Sequence, residues 1–230
     1  MGEPRMVEVR RKILKENDLV ARRLRDFYRQ AGVEVISLVS SPGSGKTTLL
    51  ERLLADFGGQ CRVAALVGDL ATENDAARLA RTAVPVKQIT TGTVCHLDAT
   101  MIERALQGWK LAELDYLFIE NVGNLVCPSS FDLGEDLRLV LVSTTEGEDK
   151  PLKYPTIFNT ADVAVITKLD LAAAVDCNVE ELIRNVDSVR PGMPIVTLSS
   201  RTGQGVEALK ELLTARHRAG QRRVSSDRSE

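Results

Sequence analysis

Residues 40–48 of this 230-residue chain have the types and spacing that bind a phosphate chain. The apolar run VISLVS leads into SSPGSGKTT, which nearly fits the phosphate-loop pattern GxxxxGK[ST] in the required strand–loop–helix context. Ser40 stands where the pattern has its first glycine, so we expect a slightly different loop entry. Glycines let the backbone approach phosphate closely, and the free N–H groups of the following helix attract the anion. The predicted phosphate-binding residues are Gly43, Ser44, Gly45, Lys46, Thr47 and Thr48.

Carboxylates at two predicted strand ends complete a magnesium site with the hydroxyl of Thr47. Glu120 ends the apolar run LDYLFIE in the manner of a Walker B acid, and Asp69 ends the run ALVGD. Asp75 is a weaker candidate, because a helix cap or a solvated charge explains it nearly as well. Mg²⁺ needs hard oxygen ligands, and a phosphate loop supplies only one. We therefore predict Thr47, Asp69 and Glu120 as the magnesium ligands.

The segment after Glu120 is expected to face the terminal phosphate. Gly123 would lie near the γ-phosphate, and Asn124 follows where some small GTPases carry a water-orienting Gln. The sequence therefore predicts slow intrinsic hydrolysis, on the order of 10⁻⁴–10⁻² s⁻¹ by analogy with unassisted GTPases. The predicted catalytic residues are Lys46, Asp69, Glu120 and Gly123.

A second motif, TKLD at residues 167–170, follows the apolar run ADVAVI and predicts that the base is guanine. The Asp170 carboxylate can accept hydrogen bonds from two donors on the guanine edge, whereas adenine lacks that donor pair. Each such charge-assisted bond contributes about 1.5–3 kcal/mol. Lys168 can lie over the base plane, and SSRTG at 199–203 is similar to the loop that contacts the guanine carbonyl. The predicted base-binding residues are Thr167, Lys168, Asp170, Ser199, Ser200 and Arg201.

Two cysteines and a histidine could bind a softer metal ion. Cys95 and His96 are adjacent in TGTVCHLDA, and Cys127 lies in ENVGNLVCP, just past Gly123. Thiolate and imidazole together suit Zn²⁺ or Ni²⁺, and three ligands leave one position open. On spacing alone, two ordinary buried cysteines and a surface histidine remain the simpler interpretation. Of the remaining residues of these types, Cys61 and Cys177 are expected to have structural roles, and His217 is expected to be a cation at a helix C-terminus.

The order of apolar and amphipathic segments predicts an α/β fold. Short apolar runs, predicted as strands, occupy residues 35–39, 63–67, 84–89, 116–119, 137–142, 163–166 and 195–198. Helical patterns occupy 46–56, 73–81, 100–109, 179–186 and 206–215. Continuous apolar strands separated by helices indicate a mostly parallel sheet with helices on both faces. The long segment 144–159 is predicted to be an irregular functional loop.

Composition and charge narrow the class of protein. A formal net charge of −2 excludes a nucleic-acid-binding polycation, and the absence of a long apolar run excludes a membrane span. Four cysteines without an export signal predict a reducing compartment, which we expect to be the cytoplasm. The predicted organisation is an amphipathic, basic N-terminal helix at 1–32, a nucleotide-binding domain at 33–219 and a flexible tail at 220–230.

Taken in order, these motifs resemble the HypB family, the nickel-incorporation GTPases of [NiFe]-hydrogenase maturation. The resemblance covers residues 35 to 205, and the pairing of CHLDA with ENVGNLVCP is its most specific part. The other matching segments are SSPGSGKTTLLE, GDLATENDA, STTEGEDKPLKYP, TKLD and SSRTGQG. The resemblance to this family implies a SIMIBI-type G domain of the P-loop NTPase class that uses GTP/GDP and Mg²⁺.

The resemblance also implies how the protein works with others. It implies a GTP-dependent homodimer that binds Ni²⁺ or Zn²⁺ through Cys95, His96 and Cys127 at the dimer interface. It implies partnership with the small zinc-containing nickel chaperone of hydrogenase maturation and an indirect connection to the hydrogenase large-subunit precursor. No CxxCxC or histidine-rich stretch precedes residue 35, so we expect no nickel storage.

Two other functions remain open on the sequence. One is a GTP-gated scaffold that recruits maturation factors through its basic N-terminal helix, with metal binding incidental. The other is an ATP-using kinase with the same phosphate loop. Thr167 stands where guanine-binding motifs more often have Asn, which leaves the base preference open to test.

Overall fold

The computed structural model describes residues 5–69 and 78–227 of the chain. The helices in these residues are α1 (Arg5–Ala31), α2 (Lys46–Gly58), α3 (Ala99–Ala105), α4 (Lys150–Lys153), α5 (Pro155–Thr160), α6 (Val179–Val189) and α7 (Val206–Asp227). The strands are β1 (Glu34–Ser40), β2 (Val63–Asp69), β3 (Val86–Thr90), β4 (Tyr116–Glu120), β5 (Leu137–Ser143), β6 (Val163–Thr167) and β7 (Ile195–Thr197).

The strands of the described residues form one parallel sheet in the order β3-β2-β4-β1-β5-β6-β7. Strand β1 is central and pairs with both β4 and β5, so the loop that follows β1 lies in the middle of the carboxyl edge. The predicted α/β fold with a parallel sheet is therefore confirmed.

Helices cover both faces because the strands are apolar on both sides. On one face, α2 and α7 pack Leu53, Phe57 and Leu213 against strand side chains such as Phe118. The other face is covered by α1 and α3 beside β4, where Tyr28 and Ile102 are fully buried, and by α5 and α6 beside β5 and β6. Burial on both sides explains why the strands are continuous apolar runs rather than alternating ones.

Several predicted boundaries differ from the observed ones. The segment 144–159 is not irregular, because α4 and α5 occupy most of it, each with a proline in its first turn. Helix α7 continues to Asp227, twelve residues beyond the predicted end, so residues 220–227 are helical. Helix α3 ends at Ala105, four residues early, and the predicted helix at 73–81 lies largely outside the described residues. The domain boundaries themselves stay a prediction.

No helix within the described residues combines the length and the apolar character that a membrane span requires.

Candidate nucleotide and metal site

The predicted phosphate, magnesium and base residues lie together along the carboxyl edge of the sheet. Strands β1, β2, β4 and β6 end there at Ser40, Asp69, Glu120 and Thr167. A cleft of about 460 Å³ opens between these strand ends. Its walls are formed by Pro42, Gly43, Gly45, Lys46, Thr47, Thr48, Gly68, Asp69, Arg78, Glu120, Asn121, Val122, Gly123 and Lys168.

The phosphate loop adopts a backbone that requires its glycines. Gly43 and Gly45 have φ of 73° and 96°, in the left-handed region where a side chain is strained. Gly45 is also the N-cap of α2, so the unbonded N–H groups of the helix face the cleft. The Lys46 ammonium donates to the Ser40 hydroxyl at 2.8 Å. Ser40, the departure from the sequence pattern, therefore serves as an internal partner of Lys46.

The predicted magnesium ligands present oxygen atoms to one another. The Thr47 hydroxyl donates to Glu120 Oε1 at 2.6 Å, and Glu120 is only 3% exposed. Asp69 lines the same cleft from the end of β2. A hydroxyl beside carboxylates is the donor set that Mg²⁺ prefers, so these residues fit the ion. The weaker candidate, Asp75, lies outside the described residues.

Gly123 lies directly against the phosphate loop. A Cβ atom at Gly123 would be 2.9 Å from Pro42 Cα and 3.0 Å from Pro42 N, both backbone atoms. No larger residue fits there without a shift of one of the two loops. The glycine therefore joins the segment that leads to Cys127 to the loop that cradles phosphate.

The base-binding motif is attached to the phosphate loop from the other side. The Thr167 hydroxyl donates to the Ser44 carbonyl at 2.6 Å, and Lys168 Nζ donates to the Gly43 carbonyl at 2.6 Å. The Leu169 amide bonds to the Leu198 carbonyl, which brings residues 199–201 beside the motif. Ser199 is buried, whereas Asp170, which would read the base, is exposed.

Cys95, His96 and Cys127 come together although they are far apart in sequence. Their candidate ligand atoms all lie within 4.8 Å of one another, and the two sulfur atoms are 2.9 Å apart. The His96 ring stacks on Phe131 at a centroid distance of 3.9 Å. Its Nδ1 atom is buried and has no hydrogen-bond partner in the part of the chain that the structure describes. Two sulfurs and an imidazole fit Ni²⁺ or Zn²⁺.

The pKa values of Cys127 and His96 are both shifted in the direction that favours the neutral side chain. The hydrogen bond between the Cys127 and Cys95 thiols, and then burial, raise the pKa of the Cys127 thiol. Partial burial lowers the pKa of His96, although the nearby Asp98 carboxylate opposes the effect. A metal ion that binds here must displace thiol protons, because thiolates are the ligand form of cysteine.

Asn121 was not singled out from the sequence, yet it joins the two sites. Its side-chain carbonyl accepts the amides of Leu97 at 3.0 Å and Val122 at 2.9 Å, and it is 2% exposed. Leu97, the residue after His96, also fills the space over Gly68, where a Cβ would be 2.7 Å from Leu97 Cγ. The only sequence signal for Asn121 was its position directly after a buried strand.

Arg78 is a second residue that sequence reasoning missed. It lines the cleft, and its guanidinium contacts Glu51 Oε2 at 2.7 Å and the Thr48 hydroxyl at 3.1 Å. Arg78 is therefore a third cation in the wall of the cleft, with Lys46 and Lys168, and its position in an amphipathic helical pattern gave no sign of that.

The residues expected to have structural roles lie away from this cleft. Cys61 lines a separate cavity at the amino edge of the sheet, and Cys177 lies in the loop before α6. The prediction that His217 lies at a helix C-terminus is wrong, because α7 continues to Asp227; its Nδ1 is 3.5 Å from Glu34 Oε2, in the first residue of β1. These positions agree with the interpretation that none of the three residues belongs to the cleft.

Comparison with known proteins assigns this geometry to a family. The sequence profile described as "CobW/HypB/UreG, nucleotide-binding domain" matches residues 34–197. The chain is 45% identical to the hydrogenase maturation factor HypB of Rhizobium leguminosarum bv. viciae over 208 residues, which are 90% of this chain and 70% of that protein. It is 39% identical to the crystal structure of HypB from Archaeoglobus fulgidus, with a TM-score of 0.83 over 88% of this chain and 99% of that one. Likewise, it is 43% identical to HypB from Helicobacter pylori, solved in complex with nickel, with a TM-score of 0.83 over 89% and 96%.

Proposed function

Because the chain belongs to the CobW/HypB/UreG nucleotide-binding family and, within it, to the HypB hydrogenase maturation factors, we propose that it is a GTP-hydrolysing metallochaperone. It binds Ni²⁺, or Zn²⁺ in its place, and promotes nickel insertion into [NiFe]-hydrogenase. The observation that carries the proposal is the meeting of Cys95, His96 and Cys127 within 4.8 Å, one short loop away from the phosphate cradle.

Nucleotide binding and hydrolysis use the carboxyl edge of the sheet. Lys46 and the helix N-terminus of α2 hold the phosphates, and Thr47, Asp69 and Glu120 would hold Mg²⁺, which neutralises the charge that develops on the phosphate oxygens. Asn124 donates to the Cys95 carbonyl at 3.4 Å instead of acting as a water-positioning Gln. That contact supports slow intrinsic turnover.

Guanine preference is supported by the position of the TKLD motif. Thr167 and Lys168 are fixed to the phosphate loop, and Asp170 is left exposed at the side of the cleft where a base would lie. A carboxylate in that position favours guanine because adenine would leave it without donors. Direct competition between GTP and ATP tests this point and decides against the kinase alternative if GTP binds more tightly.

The proposed coupling between nucleotide and metal is supported by two connections between their sites. Gly123 contacts Pro42 of the phosphate loop and leads to Cys127, while Asn121 holds the Leu97 amide next to His96. A nucleotide that moves residues 121–123 therefore moves both halves of the metal site. Linkage requires the reverse effect of metal on nucleotide affinity, with a typical coupling of about 1–3 kcal/mol.

The oligomeric state and the partners that we propose concern the same site. Three protein ligands leave a position open, which a second copy of the chain in a GTP-dependent homodimer could fill. Val126, beside Cys127, is 60% exposed and supports an apolar contact at this place. The partner that delivers or accepts the ion is the small zinc-containing nickel chaperone, and four free thiols support action in the cytoplasm.

The test is a nickel titration in two nucleotide states, with GDP and with a non-hydrolysable GTP analogue. We expect the two nickel affinities to differ by about 5- to 150-fold, the range of typical coupling energies. Cys95→Ala should weaken nickel binding at least about tenfold and leave GTP binding intact. Cys177→Ala is the matched control. Equal nickel affinity in Cys95→Ala and the unsubstituted protein would refute the site.

The scaffold alternative is favoured by one observation, a row of exposed apolar side chains on α1. Val9, Ile13 and Phe27 are 58%, 49% and 46% exposed. Deleting the helix is a poor test, because Leu24 and Tyr28 of the same helix are buried in the core. The double substitution Val9→Ser and Ile13→Ser is better. Loss of binding to the nickel chaperone with intact nickel-dependent GTPase activity assigns a recruiting role to α1, and a GTPase cycle insensitive to nickel favours the scaffold outright.

A further inference from the structure

Asn17 of α1 connects two backbone segments that are far apart in sequence. Its side-chain carbonyl accepts the Ala99 amide at 2.8 Å, and its side-chain NH₂ donates to the Asp132 carbonyl at 2.9 Å. Asn17 is 5% exposed, so neither bond competes with bulk water. A buried amide side chain that bonds two backbone groups holds their separation fixed.

The two bonded segments are the ones that carry the metal ligands. Ala99 lies three residues after His96, at the start of α3, and Asp132 lies five residues after Cys127. The neighbour of Asp132 is Phe131, whose ring stacks on the His96 ring. One side of Asn17 therefore holds the segment of Cys95 and His96, and the other side holds the segment of Cys127 together with the aromatic support of His96.

A second contact from the same helix fixes the Asp132 side of this bridge. The guanidinium of Arg25 donates to both carboxylate oxygens of Asp132 at 2.8 Å, and Asp132 Oδ1 also accepts the Gly134 amide at 2.8 Å. These contacts hold the Asp132 segment in place, so it cannot simply rotate to compensate for a substitution of Asn17. Removal of the Asn17 side chain would leave the Ala99 amide and the Asp132 carbonyl buried without it.

We propose that Asn17 is a positioning residue for the metal site, which sets the distance between the Cys95–His96 pair and Cys127. The inference rests on the proposed function, because it concerns the same three ligands. Groups that orient metal ligands from outside the coordination sphere typically change metal affinity 10- to 100-fold when they are removed. Asn17 acts through backbone and touches neither the nucleotide cleft nor the ion.

The experiment compares Asn17→Ala with the unsubstituted full chain by nickel titration against a competing chelator. We expect nickel affinity to fall about 10- to 100-fold, with a change in the thiolate-to-nickel charge-transfer band, while GTP affinity stays within about twofold. Arg23→Ala is the matched control, because it breaks a surface ion pair at 3.1 Å between α1 and Glu103 of α3 and touches neither of the backbone groups that Asn17 bonds. The control should leave both affinities unchanged.

A second variant separates positioning from general stability. Asn17→Asp keeps an acceptor for the Ala99 amide and removes the donor to the Asp132 carbonyl. Hydrogen exchange should then show a protected Ala99 amide and faster exchange around residues 131–134, together with weakened nickel binding. If Cys95→Ala weakens nickel binding but nickel affinity is unchanged in both Asn17 variants while exchange is faster, Asn17 only stabilises the fold and the proposal is wrong.

A readout without nickel keeps this test distinct from the test of the proposed function. The trivalent arsenical phenylarsine oxide resists displacement by a monothiol only where it binds two thiols that are close together. Here those thiols are Cys95 and Cys127. Weaker capture by Asn17→Ala supports the positioning role even if Cys95→Ala shows that nickel binds elsewhere. Unchanged capture of the arsenical overturns the positioning role.

Discussion

The sheet has a cleft at its amino edge and another at its carboxyl edge. The candidate nucleotide-binding side chains converge on the smaller of the two. The cavity at the amino edge measures about 600 Å³, against about 460 Å³ at the carboxyl edge. Charged residues at the amino edge pair with each other, as in Arg62–Asp115 at 2.6 Å and Lys110–Glu113 at 3.1 Å. Around the smaller cleft the polar groups also bond one another, as Lys46 does with Ser40 and Thr47 does with Glu120, but an ammonium, a hydroxyl and carboxylates all line one space. The orientation of the groups therefore distinguishes the two sites better than their volume.

One helix accounts for part of this difference. Helix α2 begins at Lys46 in the carboxyl-edge cleft and ends at Gly58, in the wall of the amino-edge cavity. Its first N–H groups and the positive end of its dipole favour an anion, whereas its last carbonyls favour a cation. In a parallel sheet every helix that follows a strand has this direction, so only the carboxyl edge collects anion-binding termini.

The largest expected effect comes from Lys46→Ala in the smaller cleft. Lys46 is 7% exposed, and a charge-assisted hydrogen bond contributes about 1.5–3 kcal/mol. We expect GTP affinity to fall by about 100-fold in a fluorescent-nucleotide titration. Lys110→Ala, a lysine of the larger cavity, is the control and should bind GTP normally. Equal losses in the two variants would erase the distinction between the clefts.

Gly123→Ala should have the next largest effect, because crowding by the added methyl group costs about 1–3 kcal/mol of stability. The new Cβ would be 2.9 Å from Pro42 Cα, so the phosphate loop and the Cys127 segment must separate. We expect the ratio of nickel affinities with GDP and with the GTP analogue to approach one. Gly59→Ala, at the far end of α2, meets no atom within 4 Å and serves as the control. A preserved ratio would show that coupling does not pass through Gly123.

Asp170→Ala should have a smaller effect, because Asp170 is exposed and water screens its contacts. We expect GTP affinity to fall by about tenfold, the lower end for a charge-assisted bond, and preference for GTP over ATP to shrink with it. Glu113→Ala in the larger cavity is the control. Nucleotide competition measures both variants, and an undiminished preference for GTP would remove Asp170 from base recognition.

The smallest effect concerns stability at the amino edge. Burial, followed by the nearby Asp136 charge, raises the pKa of Glu34 to about 7, while Arg216 opposes the shift. The folded state therefore keeps a proton that the unfolded chain releases near its ordinary pKa, and the free energy of unfolding falls as pH rises from about 4.5 to 7.

Glu34→Gln removes this loss because the amide does not ionise. After allowance for partial solvent screening, we expect the variant to be more stable than the unsubstituted protein by about 1 kcal/mol at pH 8, with no gain at pH 4.5. Urea unfolding at the two pH values measures the difference. GTP affinity should not change, which would set this edge apart from the other. A gain of equal size at both pH values would contradict the protonation argument.

The sequence predicted strands better than it predicted helix ends. Runs buried on both faces are apolar throughout, so all the strands of the described residues were found, with ends shifted by one or two residues. Helices α4 and α5 are four and six residues long, which is too short for a helical repeat to show in the sequence. Helix α7 continues beyond the core past the exposed residues 218–221, where the apolar repeat no longer marks it.

The chemistry of the phosphate loop was determined by the sequence alone, because its glycines, Lys46 and Thr47 are contiguous and bind through local backbone geometry. Only the fold brings Cys95 and His96 close to Cys127. The first two residues follow β3 and the third follows β4, and β2 lies between these strands in the sheet. Asn17 and Asn121 were invisible for the same reason. Apart from the adjacent Val122 amide, their partners are backbone groups of distant residues, and a sequence pattern does not reveal such contacts.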